Sequence, residues 1–291
     1  MFFKENYKKI LFACILASLS VSCGGGGGGG GSPSNIVINN NNGNTSRYPT
    51  IEINNNIPSD NIKEIIKKQQ EKAGKDLWLA VLDSDFINPP KINGQIIEIT
   101  DKQNGNGSLH GKTVLKILTE DTNFNIFTGS FGVENENIEY STKDYIKLFE
   151  EFKNKIPNSV KIINQSFGSG NGNNESAQQA SNNLIAQKEL FEKWINQNNA
   201  IFVWANGNTS QNLSNGSVEA TFPKKNYALR KGWISAIGID GKTNLHFEGK
   251  NKLASPGDAA LWAISASAYS IDKSNEYGSS FAAPRVSRAA A

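Results

Sequence analysis

Apolar residues fall along this chain in two alternating patterns. Short apolar runs occupy Leu77 to Leu82, Ile96 to Ile99, Asn125 to Thr128, Val160 to Asn164, Ala200 to Ala205 and Trp233 to Ile239, each of a length suited to a buried strand. Between several of them, Thr113 to Leu118, Thr142 to Lys155 and Ala177 to Gln197 carry apolar residues at helical spacing. Strands apolar on both faces and separated by helices predict an α/β domain with a mainly parallel central sheet flanked by helices. In such sheets active sites collect at the carboxyl ends of the strands. Polar residues at those ends are therefore the first candidates for chemistry.

The first sixty residues follow another pattern. A basic stretch from Lys4 to Lys9 precedes an apolar run from Ile10 to Val21, which is too short to span a bilayer and reads as an export signal over residues 1–22. The run ends in Leu19-Ser20-Val21-Ser22-Cys23 followed by eight glycines, similar to the processing site of bacterial lipoproteins, with Cys23 as the lipidated first residue. Ser20 departs from that pattern, and an ordinary cleaved signal peptide is the alternative. Residues 23–60, rich in glycine, serine and asparagine, read as the lipidation site and a disordered tether. Asp60 is a candidate N-cap for Ile62, Ile65 and Ile66 at helical spacing, so the compact domain is expected over 61–291.

Composition removes several classes of function. The formal charge of +3 falls to about +1 without the first nine residues, and a near-neutral balance gives no electrostatic reason for nucleic acid binding. The chain has two Cys and two His, with both Cys, Cys14 and Cys23, near the N-terminus. A thiolate metal site, a disulfide scaffold and a cysteine hydrolase are thereby excluded from the domain, and no H-E-x-x-H or C-x-x-C occurs.

Four polar segments lie where chemistry is expected. Leu79-Ala80-Val81-Leu82-Asp83 is an apolar strand ending in an acid; Asp83 fits either a carboxylate that orients a histidine or one that caps a loop. Gly107-Ser108-Leu109-His110-Gly111 runs into a helix, and with only His110 and His246 in the chain the search for a general base is short. Ile201 to Ala205 ends in Asn206-Gly207-Asn208, an amide turn that serves either as a turn or as a donor to a developing oxyanion. Gly278-Ser279-Ser280-Phe281-Ala282-Ala283-Pro284 opens a helix, so the Ser280 hydroxyl and backbone N–H lie at its positive end.

Together these segments resemble the subtilases, the subtilisin-like serine proteases, over most of residues 75–291. The 278–286 segment is similar to the family's G-T-S-M/F-A-A-P nucleophile motif, Val81 to Ser84 to its aspartate strand, and His110-Gly111 to its histidine motif. The resemblance implies a three-layer subtilisin-like fold and an Asp83, His110, Ser280 triad in the subtilisin order. It assigns the oxyanion amide to Asn208 rather than Asn206. Ile162 to Gly168 resembles the edge that pairs with substrate backbone, which implies contacts from Ser166, Phe167 and Gly168. Leu253 to Gly257 resembles a later A-x-P-G turn. An α/β-hydrolase is excluded, since no His follows Ser280 and no G-x-S-x-G occurs. His246, in no family motif, reads as a surface residue.

The implied protein is an exported, lipid-anchored serine endopeptidase of the outer membrane or cell surface, acting on protein or peptide substrates. No organic cofactor or metal is called for; structural calcium, common in the family, has no D-x-D-x-D-G loop here. Several residues depart from the family pattern: Asp85 near the acid, Lys112, Thr113 and Lys116 after the histidine, and Arg288 where glycine is usual. Arg288 is expected to meet a packed wall or to be buried without a partner. The chain ends eleven residues after Ser280, so a C-terminally incomplete domain with nothing packed behind the Ser280 helix is expected, as in an autotransporter passenger followed by a stalk and barrel. Arg288, Asp85 and the early end of the chain motivate the alternative of a decayed subtilase-fold lipoprotein that serves as a binding or adhesive module.

Overall fold

The computed structural model describes residues 77–84, 86, 88–100, 109–130, 142–169, 175–208, 215–243, 253–273 and 275–291. The expected signal segment, Cys23, the helix after Asp60, Asp85 and His246 lie outside these residues.

Seven parallel strands form one sheet in the order β2-β3-β1-β4-β5-β6-β7. They are β1 (Trp78–Asp83), β2 (Ile96–Glu98), β3 (Asn125–Ser130), β4 (Ile162–Gln165), β5 (Ile201–Ala205), β6 (Trp233–Ile239) and β7 (Ala263–Ser267). Six match the apolar runs; β7, mostly small residues around Ile264 and half-exposed at the sheet edge, carries no such run. The helices are α1 (His110–Thr119), α2 (Thr142–Lys155), α3 (Glu175–Ala186), α4 (Lys188–Asn198), the single turn α5 (Val218–Thr221) and α6 (Ser279–Ala290). The helical pattern from Ala177 to Gln197 thus divides into two helices at Gln187, whose N–H is shared between the Asn183 and Leu184 carbonyls, each at 3.2 Å.

Alternation along each strand sends side chains to two separate cores. Ala80, Leu82, Phe202 and Trp204 join Phe149 and Phe152 of α2 and Phe191 and Trp194 of α4 in one layer. This layer is aromatic, with Phe191 edge-on to Trp233 at 5.2 Å and Trp204 stacked on Trp233 at 5.3 Å. Leu79, Val81, Val203 and Ala205 face the other way, toward Val114, Leu115 and Leu118 of α1 and Ala282, Ala283 and Val286 of α6. The result is the three-layer α/β arrangement. None of the helices among the described residues is long and apolar enough to cross a membrane.

Packing behind Ser280 corrects two expectations. Helix α6 is buried from Ser279 through Pro284 and again at Val286 and Ser287, lying against the sheet and α1 with Ala282 and Ala283 fully enclosed. Arg288 meets neither a wall nor an empty interior. Its Nη1 donates to the Glu120 carbonyl at 3.0 Å and pairs with Glu120 Oε2 at 3.1 Å. These groups lie just past the end of α1, where helix carbonyls lack intrahelical donors and a cation is favoured.

Candidate active site

Helix α1 begins at His110, three residues earlier than its apolar spacing indicates, so the imidazole stands at a helix start beside the carboxyl end of β1. Asp83, the last residue of β1, is 1% exposed. Its Oδ1 accepts from the Ser84 backbone N–H at 2.7 Å and lies 2.7 Å from His110 Nδ1. A carboxylate oxygen only accepts, so Nδ1 carries the proton in this pair and Nε2 becomes the ring's acceptor. Burial works against the charged ring, but the Asp83 charge and hydrogen bond, with a smaller contribution from the Glu276 charge, lift the His110 pKa above its usual value.

Ser280 is the second residue of α6 and is 9% exposed. The next side chain, Phe281, packs on the His110 ring with centroids 5.7 Å apart, which brings the starts of α1 and α6 together. Among the described residues no hydrogen bond joins His110 to Ser280; such contacts commonly tighten only when substrate arrives. Pro284, four residues on, has no N–H to give the Ser280 carbonyl.

The amide turn after β5 separates two roles that its sequence leaves open. Asn206 is fully enclosed and committed to structure: Nδ2 donates to the Ala254 and Ser255 carbonyls at 2.7 and 3.1 Å, and Oδ1 accepts from Ser235 Oγ at 2.8 Å. Among the described residues Asn208 is fastened only by its oxygen, which accepts from the Ser279 N–H at 2.7 Å and Ser279 Oγ at 2.9 Å. That orientation leaves Nδ2 as the group able to donate beside Ser280. Gly207 adopts φ +116°, and its N–H donates to Ser279 Oγ at 2.9 Å; a side chain there would be strained. Gly278 allows a close approach, because a Cβ on it would stand 3.0 Å from Asn208 Nδ2 and press on that amide.

Of the three candidate substrate contacts, Ser166 and Phe167 are buried and Gly168 is exposed. Phe167 packs edge-on against Trp204 at 5.4 Å, so its side chain belongs to the core and only its backbone can meet a ligand. The segment is joined to α6 by a buried relay in which Ser287 Oγ donates to Asn164 Oδ1 at 2.9 Å and Asn164 Nδ2 to Ser166 Oγ at 3.0 Å.

Four further residues around the site are not singled out by the sequence. Ser279 fastens Asn208, and its place beside Ser280 is the one available signal. Glu219 accepts from Ser169, next to Gly168. Glu276 influences His110 through its charge. Asp272 accepts from Thr113 Oγ1 at 2.7 Å and pairs with Lys116. Thr113 and Lys116, which depart from the family pattern, thus tie α1 to the loop that leads into α6. Among the described residues no group of three or more His, Cys, Asp or Glu could hold a metal ion.

The fold has counterparts among solved structures. The prenylagaramide maturation protease PagA is similar in structure, with a TM-score of 0.51 and 19% identity over 75% of this chain and 76% of that one. A mutant of the protease domain of PatA gives 0.50 and 18% over 74% and 78%. The nisin leader peptidase NisP from Lactococcus lactis gives 0.47 and 18% over 76% and 78%. At these identities the first two likenesses concern the fold alone. No curated protein matches the chain in sequence. The model of the subtilase family matches residues 104–291, a span that takes in His110, Asn208 and Ser280 and begins after Asp83, and the chain belongs to that family of proteases.

Proposed function

We propose that the protein is a serine endopeptidase in which Asp83, His110 and Ser280 act as a triad. Ser280 Oγ attacks the peptide carbonyl while His110 Nε2 takes its proton and later passes it to the leaving amine. Asp83 holds the ring's tautomer and stabilises the imidazolium. Asn208 Nδ2 and the Ser280 N–H bind the oxyanion, where losing one donor costs about a hundred- to a thousand-fold in rate. The substrate lies extended along the backbone of Ser166, Phe167 and Gly168. The observation that carries this reading is the 2.7 Å contact between Asp83 and His110, whose ring rests on the residue after Ser280. The alternative of a decayed binding module loses one of its motives, since Arg288 has partners.

A fluorophosphonate probe tests the proposal. It should label Ser280, and Ser280→Ala, His110→Ala and the double variant should be similarly inactive on an unstructured protein, because a triad acts as a unit. A folded protein that takes up no probe, or a His110→Ala variant with parental activity, would refute it. The enzyme is further proposed to be exported and anchored through an acylated Cys23. Cys23→Ser should abolish labelling by a fatty-acid analogue, and unchanged labelling would remove the anchor.

A further inference from the structure

Glu219 is an acid with no role in the proposed triad, and its environment is unusual. It lies in the turn α5, 1% exposed, with both carboxylate oxygens turned on one residue: Oε2 accepts from the Ser169 backbone N–H at 2.7 Å and Oε1 from Ser169 Oγ at 2.8 Å. Burial raises its pKa, opposed by hydrogen bonds from Ser169, its own backbone and Ser217. No cation is paired with it among the described residues. A carboxylate in this position costs desolvation free energy, so the bonds it accepts must be made well.

What the bonds join is more informative than their strength. Ser169 directly follows the segment 166–168 expected to lie against substrate. Two residues before Glu219, Ser217 holds the other wall: its N–H donates to the Asn206 carbonyl at 2.6 Å and its Oγ to the Ala205 carbonyl at 3.3 Å. That is the strand end leading into Asn208. The Glu219 carbonyl in turn accepts from Trp233 Nε1 at 3.1 Å, fixing the turn to β6. The Gly168 backbone lies so close to the Ser217 side chain that a Cβ on Gly168 would stand 2.8 Å from Ser217 Oγ.

We infer that Glu219 is a positioning residue that sets the spacing between the extended segment Ser166–Gly168 and the Asn208 turn, and that it serves long peptide substrates in particular. The inference rests on the protease reading above. An extended chain uses both walls at once, so a shift in their separation weakens its binding. A small reagent that needs only Ser280, His110 and the oxyanion donors does not register that shift.

The test compares parent, Glu219→Ala, Glu219→Gln and Ser169→Ala on an unstructured protein and in the rate of fluorophosphonate labelling. Removing two hydrogen bonds from one wall should raise KM for the long substrate about tenfold, with kcat and labelling rate within about twofold of parent. Glutamine can still accept from the Ser169 N–H and donate to Ser169 Oγ, so Glu219→Gln should restore KM to within about twofold of parent, at an equal or higher thermal midpoint. Ser169→Ala keeps the backbone bond and should fall between, which preserves the test if Glu219→Ala does not fold. Equal losses for the alanine and glutamine variants would overturn the inference, because charge and not the clamp would then matter. So would a parallel fall in long-substrate hydrolysis and labelling, or an unchanged KM in Glu219→Ala. A folded parent that neither labels nor cleaves would instead remove the protease reading, and the inference with it.

Discussion

Replacing Arg288 by glycine, the residue its family usually carries there, should weaken this protein. The guanidinium donates to the Glu120 carbonyl at 3.0 Å and pairs with the Glu120 carboxylate at 3.1 Å, with a longer contact of 3.5 Å to the Ile117 carbonyl. The Glu120 side chain is 50% exposed, so the ion pair is screened and contributes about 0.5 kcal/mol or less. The charge-assisted bond to a carbonyl at the end of α1 contributes about 1 kcal/mol, including the favourable placement of a cation at a helix C-terminus. Arg288→Ala should therefore cost about 1–2 kcal/mol, which lowers the midpoint of a domain this size by roughly 3–6 °C. Arg288→Gly adds up to about 1 kcal/mol for glycine inside a helix. Thermal unfolding followed by circular dichroism reads both, and a cycle with Glu120→Ala separates the carboxylate from the carbonyl. Because the carbonyl bond survives when only the Glu120 side chain is removed, Glu120→Ala should cost less than half as much as Arg288→Ala. A glycine variant with a raised midpoint, or two alanine variants of equal effect, would refute the reasoning.

The pH profile, a buried amide and the contact between α6 and the sheet offer three further tests. Since only neutral His110 can act as base and its pKa is raised, the acid limb of kcat/KM should lie above the usual histidine value; Glu276→Gln, which removes one raising charge, should move the limb to lower pH, and an unmoved limb would exclude Glu276 as a contributor. Gln165 is fully buried and, among the described residues, neither its side-chain oxygen nor its nitrogen has a partner; Trp204 Nε1 on the adjacent strand is in the same state. Gln165→Met should raise stability by about 1–3 kcal/mol in denaturant titration, whereas a lower midpoint would indicate a buried water that satisfies the amide. Ala283 is fully enclosed between α6 and its neighbours; Ala283→Leu should cost about 1–3 kcal/mol and depress fluorophosphonate labelling, and a neutral result would mean that the position of α6 is not set by this contact.

The strands β1 and β3 to β6 are legible in the sequence because a parallel strand inside the sheet is buried on both faces and is largely apolar, whereas β2, at one edge and mostly exposed, shows only through Ile96 and Ile97. The edge strand β7 is hidden for the same physical reason: Ala263, Ile264 and Ala266 are only partly buried, so its sequence needs no unbroken apolar run. The start of α1 is hidden too, because His110 and Gly111 contribute nothing to helical periodicity, although they are helical. The site is easier to find than to understand. With two histidines in the chain, His110 can be named by residue type, but nothing in Val218-Glu219-Ala220-Thr221 announces that its acid meets Ser169 fifty positions away. Lys116 disturbs the histidine motif only as long as its partner Asp272 is unknown. Phe167, expected to contact substrate, spends its side chain on the aromatic core.

Such long-range polar pairs explain how a largely apolar layer reaches the precision that catalysis would demand. Helix α6 meets the sheet through Ala282, Ala283 and Val286, and contacts between small apolar groups are weakly directional, so they hold a helix close without fixing its rotation or its slide. Directional bonds supply those two constraints. Ser287 through Asn164 holds α6 against the strand that leads to Ser166, Ser279 holds its first turn to Asn208, and Arg288 holds its last turn to the end of α1. The three bonds attach to β4, to the turn after β5 and to α1, the elements that carry the proposed substrate edge, the oxyanion donor and the base. Helix α6 thus connects these three elements to Ser280, and its register depends on a few polar side chains whose importance no hydrophobic pattern can convey.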